Sequence, residues 1–171
     1  MHDNAARRLD VAAGPTLGDP IELFTVSELG SGGLYGGIAV GESAVWVIGN
    51  LTQPLLFRID PASGEFERRS LPFAPKRVGA GEGAVWITDA LGDLLWRLPS
   101  QALEPASIAV GRGPDAVAVG AGAVWVLNRL GGTVSRVDPA TATVVAEVEI
   151  GNGATQLAAG QDGVSAIRPT A

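Results

Sequence analysis

The 171-residue chain has no cysteine and a single histidine, His2. The first absence excludes disulfides, thiolate nucleophiles, iron–sulfur ligation and Cys-ligated zinc at one stroke. The second leaves no Ser/His/Asp set and no His-x-x-x-His pair, and no Asp-x-Asp-x-Asn-Gly calcium loop is present either. Any catalysis would have to rest on a carboxylate pair assembled from distant segments. Charge is scarce too: 12 basic and 18 acidic residues give a net of −6, and the basic ones never gather beyond the pairs Arg7-Arg8, Arg68-Arg69 and Lys76-Arg77. Such a surface repels phosphate backbones, so nucleic acid is not an expected partner. No apolar run approaches the roughly 20 residues of a membrane helix, and no apolar stretch follows the charges of residues 1–8. Neither membrane insertion nor an export signal is therefore expected, and as written the chain reads as cytoplasmic.

What is abundant is glycine and proline, 24 and 11 residues, within a chain that is 46% hydrophobic and 18% charged. That balance is too apolar for a disordered chain and too rich in turn formers for long helices. A turn-rich all-β protein is the expectation.

Self-similarity decides the architecture. Ala44-Val45-Trp46-Val47, Ala84-Val85-Trp86-Ile87 and Ala123-Val124-Trp125-Val126 repeat with a period of about 40 residues. A degraded fourth copy, Gly163-Val164-Ser165-Ala166-Ile167, has Ser165 at the tryptophan position. Each copy follows a β-prone segment that ends in a Gly-containing turn: Gly41-Glu42-Ser43, Gly81-Glu82-Gly83, Gly120-Ala121-Gly122 and Gly160-Gln161-Asp162. Glycine admits the positive φ that tight hairpins require, so these turns are read as joining strands one and two.

A third strand with an arginine in register comes next, in Leu55-Leu56-Phe57-Arg58-Ile59, Leu94-Leu95-Trp96-Arg97-Leu98 and Thr133-Val134-Ser135-Arg136-Val137. In two copies Asp60-Pro61 and Asp138-Pro139 then begin a turn, and fourth strands follow in all three over 65–71, 106–110 and 144–150. Four short antiparallel strands per copy, without helical periodicity, predict a β-propeller repeat of about four blades.

The ends are out of phase with the copies. Arg7-Arg8-Leu9-Asp10 resembles the end of a third strand, Ile21 to Val26 resembles a fourth, and the chain finishes after strand two of the last copy. The organisation expected is one propeller unit over 1–171: an N-terminal half-blade over 1–30, blades over 36–73, 74–110 and 111–151, and a C-terminal half-blade over 152–171. Two arrangements satisfy it, a closed small ring fastened by strands from both termini or an open arc of a larger propeller.

The Gly-x-Gly-Ala-Val-Trp-Val core, followed by Gly-Thr-Val-Ser-Arg-Val-Asp-Pro-Ala-Thr, resembles the YVTN-type propeller repeats of bacterial, often extracytoplasmic, proteins. The best copy runs from Gly111 to Gly151, and the resemblance covers about Gly36 to Ile167. It implies the architecture and leaves function open. Gly113-Pro114-Asp115 is similar to the repeats of streptogramin lyase-like propellers. That resemblance implies a seven-bladed ring with metal-assisted chemistry at a histidine, whereas this chain has only His2 near its terminus.

The tryptophans Trp46, Trp86 and Trp125, with Trp96, are expected as the structural repeat core, at positions with apolar neighbours on both sides. The repeated arginines are expected to pack their stems on the sheet with the charged ends in water. Ligands of propellers favour the face formed by the two-to-three loops and the crossings between blades, because rigid sheets hold those loops around the axis. The loops contribute Asn50, Thr52, Asp89, Asp93, Asn128 and Arg129; the crossings contribute Lys76, Arg77, Arg112, Asp115, Asn152 and Gln156. Asn50, Asp89, Asn128, Arg129, Arg77, Arg112 and Asp115 are the candidate binding residues, with no catalytic or metal residue and no cofactor expected. The function expected is a non-catalytic module that offers this face to a protein, a peptide or a small polar ligand. The competing expectations are a lyase-like or hydrolase-like fragment, and a half-ring that completes a larger propeller as a homodimer or with the remainder of a longer one.

Overall fold

Two-residue turns set the first hairpin of each repeat. Glu42 and Ser43 have φ of 52° and 59°, Glu82 and Gly83 of 53° and 75°, and Ala121 and Gly122 of 53° and 65°. A pair of positive φ values matches the twist of the flanking strands, which selects such turns for tight hairpins. The glycine that opens each motif therefore does not supply the turn itself, contrary to the sequence expectation for Gly41. Its use lies in packing: a Cβ at Gly41 would lie 2.8 Å from the Ala80 carbonyl oxygen of the next blade.

The computed structural model describes residues 6–10, 16–21, 36–50, 53–100, 104–160 and 163–168. Its described elements are all strands: β1 (Ala6–Asp10), β2 (Thr16–Ile21), β3 (Gly37–Gly41), β4 (Ala44–Asn50), β5 (Pro54–Ile59), β6 (Phe66–Ser70), β7 (Arg77–Gly81), β8 (Ala84–Asp89), β9 (Leu94–Pro99), β10 (Ala106–Ala109), β11 (Pro114–Gly120), β12 (Ala123–Asn128), β13 (Thr133–Asp138), β14 (Thr143–Glu149), β15 (Gln156–Ala159) and β16 (Val164–Ile167). Three four-stranded antiparallel sheets, β3-β4-β5-β6, β7-β8-β9-β10 and β11-β12-β13-β14, are blades, and β15-β16 begins a fourth. Among the described residues β1 and β2 pair only with each other, and no sheet is completed by strands from both regions. The described strands form an open arc, a partial propeller, rather than a closed ring. The strand paired with β1 is β2, which shares only Ile21 with the fourth strand expected over Ile21 to Val26, and the remainder of that segment lies outside the described residues.

Three contacts hold each tryptophan at the heart of its blade. Trp46, Trp86 and Trp125 lie directly across from Arg58, Arg97 and Arg136 on the third strand. Their indole N–H groups donate to the carbonyls of Gly41, Gly81 and Gly120 at 3.0, 3.0 and 3.1 Å. The guanidinium carbons sit over the rings at 6.0, 5.7 and 5.7 Å from the centroids. Each arginine is half-buried with its guanidinium over the indole, a cation–π geometry, and in the second blade the Arg97 Nε is buried without a partner.

The core consists of the layers between blades. Ala44, Trp46, Ile48, Leu56, Leu71 and Phe73 of the first blade pack on Val78, Val85, Ile87 and Leu98 of the second. Ala84, Trp86, Leu95 and Ile108 of the second blade meet Val124, Val126 and Val137 of the third. Trp96 stacks on Phe73 with centroids 4.4 Å apart. Period-two alternation makes both sides of the second strands apolar, and both are buried in β8 along its whole length. Outer strands differ, for β14 is exposed throughout and carries Glu147 and Glu149, charges that discourage edge pairing.

Candidate functional site

In a blade the two-to-three loop and the crossing from strand four to the next strand one emerge on the same side, and the described chain follows this. Lys76 enters β7, Asp115 lies near the start of β11, and Arg129 follows β12. These three converge across two blades. The Asp115 carboxylate lies 3.5 Å from Lys76 Nζ and 3.9 Å from Arg129 Nη1, with side-chain exposures of 16%, 36% and 56% for Asp115, Lys76 and Arg129. One carboxylate is thus shared by two cations that remain open to solvent. Each such pair contributes at most about 1 kcal/mol, so the arrangement is cheap to open.

Backbone bonds fix the frame beneath. Asp93, in the second blade's loop, accepts the Gly113 N–H at 2.7 Å and so ties that loop to the next crossing. The Arg129 and Gly131 N–H groups donate to the carbonyls of Gly113 and Arg112, each at 3.0 Å. Arg77 is exposed, and its Nη1 donates to the Lys76 carbonyl at 2.9 Å. Arg112, Asn152 and Gln156 are exposed along the same rim.

Two of the sequence candidates are placed inside instead. Asp89 is buried, its Oδ1 accepting the N–H groups of Leu91 and Gly92 at 3.2 and 3.1 Å, so it builds its own loop. Asn128 is fully buried, with Nδ2 donating to Ser135 Oγ at 2.8 Å and Thr133 Oγ1 at 3.0 Å. The Asn128 side chain lies where a Cβ on Gly111 would stand, so it turns into the blade. Its Oδ1 is buried without a partner. Asn50 ends β4 opposite Pro54, and Thr52 lies outside the described residues.

Sequence reasoning missed Leu91 and Leu130, which are 89% and 67% exposed at the tips of the second and third loops. They occupy the same repeat position, in Asp89-Ala90-Leu91-Gly92 and Asn128-Arg129-Leu130-Gly131. A leucine recurring inside turns of otherwise polar residues was the available signal. Among the described residues no group of three or more His, Cys, Asp or Glu is arranged to hold a metal ion.

The opposite face is built for cohesion. The Gly83 N–H donates to Glu42 Oε1 of the preceding blade at 2.9 Å. Asp60 and Asp138 cap their own turns, accepting the N–H groups of Ala62 and Ala140 at 2.7 and 2.8 Å.

No protein-family model matches the chain, and no curated protein matches its sequence significantly. Solved structures do match its fold. Hydrazine synthase of Kuenenia stuttgartiensis aligns with a TM-score of 0.69 at 13% identity over 80% of this chain and 42% of that one. A catalytically inactive virginiamycin B lyase from Staphylococcus aureus, solved with quinupristin, gives 0.66 at 20% identity over 86% and 49%. AztD of Citrobacter koseri gives 0.58 at 12% identity over 79% and 51%. The chain therefore spans about half the length of each of these solved chains, and at such identities the likeness shows a shared β-propeller fold and nothing finer.

Proposed function

We propose that the chain is a non-catalytic binding module of the YVTN-repeat type, whose loop face takes a peptide or protein segment bearing both acidic and apolar side chains. One observation carries the reading: Lys76 and Arg129 lean on the single carboxylate of Asp115 from two different blades while Leu91 and Leu130 stand exposed at the adjoining loop tips. An acidic side chain can compete with Asp115 for either cation, and an apolar neighbour can cover a leucine that is otherwise in water. Arg77 and Arg112 extend the basic rim. A small polar ligand would use the cations alone and leave the leucines unexplained.

The lyase-like or hydrolase-like alternative needs a free carboxylate pair on this face. Asp115 is ion-paired, Asp93 accepts a backbone amide and Asp89 accepts two. Each carboxylate already serves the loop framework, which favours binding over chemistry.

The test is an NMR titration with a peptide of alternating glutamate and leucine, beside a control of alternating lysine and leucine. The acidic peptide is expected to shift the resonances of Lys76, Arg112, Asp115, Arg129, Leu91 and Leu130, and the effect should weaken as salt is raised. Arg129→Glu with Lys76→Glu should abolish the shifts while leaving the melting temperature within a few degrees, since both side chains are exposed. Equal response to the two peptides, or none to either, would overturn the reading.

A further inference from the structure

Neighbouring blades meet through a repeated fit between their inner strands. Strand one ends on glycine in three copies, Gly41, Gly81 and Gly120, and Gly160 directly follows the last residue of strand one in the fourth. Each of the first three receives the next blade's residue from the position just before that blade's own glycine. A Cβ on Gly41 would lie 3.0 Å from the Ala80 side chain, one on Gly81 would lie 2.9 Å from Val119, and one on Gly120 would lie 3.1 Å from Ala159. The fourth glycine receives nothing: a Cβ on Gly160 would meet no atom within 4 Å.

At the opposite end the reverse half of the same joint is vacant. Val40 is the first blade's counterpart of Ala80, Val119 and Ala159, and Ile38 is the counterpart of Val78, Val117 and Leu157. In the later blades Val78, Ala80, Val117, Val119 and Leu157 lie in the apolar layers between sheets. In the first blade Ile38 and Val40 are 63% and 76% exposed, although Phe57 and Ile59 farther out on the same blade are buried. A pair of aliphatic knobs thus stands open at one end of the arc, and a smooth strand of Ala158 and Gly160 stands open at the other.

We propose that two copies of this chain associate head to tail, with Val40 of each seated on Gly160 of the other. The contact continues, residue for residue, the joints between β3 and β7, β7 and β11, and β11 and β15. It satisfies both vacant faces at once, which a partner for either end alone does not. The stoichiometry follows from the arc. Each copy supplies four inner strands, β3, β7, β11 and β15, so two copies supply twice that number, within the range of about 4 to 8 blades known for closed propellers. A heterologous contact that closes on itself gives a finite assembly instead of a filament.

The proposal is independent of the loop-face reading, because the joints lie between inner strands and not on the loop tips. It is tested on the full chain by sedimentation equilibrium and by disulfide trapping, the latter clean because the chain has no cysteine of its own. The wild type is expected to sediment at twice its 17.4 kDa mass. Val40→Asp and Gly160→Leu should each raise the dissociation constant on the order of tenfold or more, the scale expected when one buried aliphatic contact is lost. Both positions are exposed within a single chain, so circular dichroism and the denaturation midpoint of the separated chains should not change. An oxidised mixture of Val40→Cys and Gly160→Cys chains should give a covalent dimer that neither variant gives alone. A wild type that sediments as a single chain would overturn the proposal. An open series of species heavier than two chains, or trapping no greater in the mixture than in the single variants, would overturn it equally.

Discussion

The joint between the second and third blades and the bare outer side of β15-β16 are the same structure with and without its central side chain. In the first, Trp86 fills the layer, donates to the Gly81 carbonyl and lies beneath Arg97. In the second, Ser165 stands at the tryptophan position, no arginine-bearing third strand follows among the described residues, and the side chain is exposed. One indole thus satisfies three requirements together, for volume, for a part-buried carbonyl and for a half-buried arginine. Where it is missing, the backbone hairpin persists and the layer does not.

Substitutions in the intact joint should show the largest losses. Trp86→Ala removes all three contacts in a fully buried site and should cost about 3–5 kcal/mol, whereas Ser165→Ala should be nearly silent; urea unfolding of both variants would expose any equality between them. Gly81→Val should follow, at about 1–3 kcal/mol for overpacking against Val119. The same change at Gly160, which has nothing beside it within a single chain, should leave that chain's denaturation midpoint alone. Arg97→Met keeps most of the packing and loses the attraction to the Trp86 ring, a matter of about 0.5–1 kcal/mol. A loss as large as that of Trp86→Ala would show that the charge, rather than the indole, organises the joint.

The smallest effect is one of pH. Donation from the Ser63 and Ala62 amides holds the Asp60 carboxyl below the usual carboxylate range. A group whose value is lowered by folding contributes fully above its unfolded value, about 4 for this residue type, and the contribution fades as pH falls through the lower folded value. The hydrogen bonds of Asp60 lie in an exposed turn, so the effect on the first blade is slight. Thermal melts of wild type and Asp60→Asn should coincide in slope near neutrality and separate only in acid, with the wild type losing stability more steeply.

The propeller was legible because its period is written in conspicuous residues. A tryptophan, a Gly-containing turn and an arginine recur together at the period of a propeller blade. The alignment of arginine with tryptophan was visible as register, but the indole's bond to a glycine carbonyl was not, since a sequence does not say which of two faces a carbonyl turns to. Polarity alone places Asn128 and Asp89 on the loop surface, yet both are buried. Both side chains instead satisfy groups within their own blade, the ordinary fate of a polar residue at a strand end. Ring closure could not be read, because it depends on whether β1-β2 joins the sheet of β15-β16, and pairing between distant strands leaves no periodic mark.

The indole-to-glycine bond has a further consequence for how the chain acquires its structure. Donor and acceptor are five residues apart in each copy, so the bond forms as soon as one hairpin closes, an event of about 1–10 μs. Docking one blade on the next joins segments some forty residues apart and is entropically the slower step. Each blade therefore carries its own kinetic nucleus. Refolding followed by tryptophan fluorescence should show an early phase that survives Gly81→Val, which blocks docking, and disappears from the corresponding blade in Trp86→Phe, which keeps an aromatic ring but has no N–H to give.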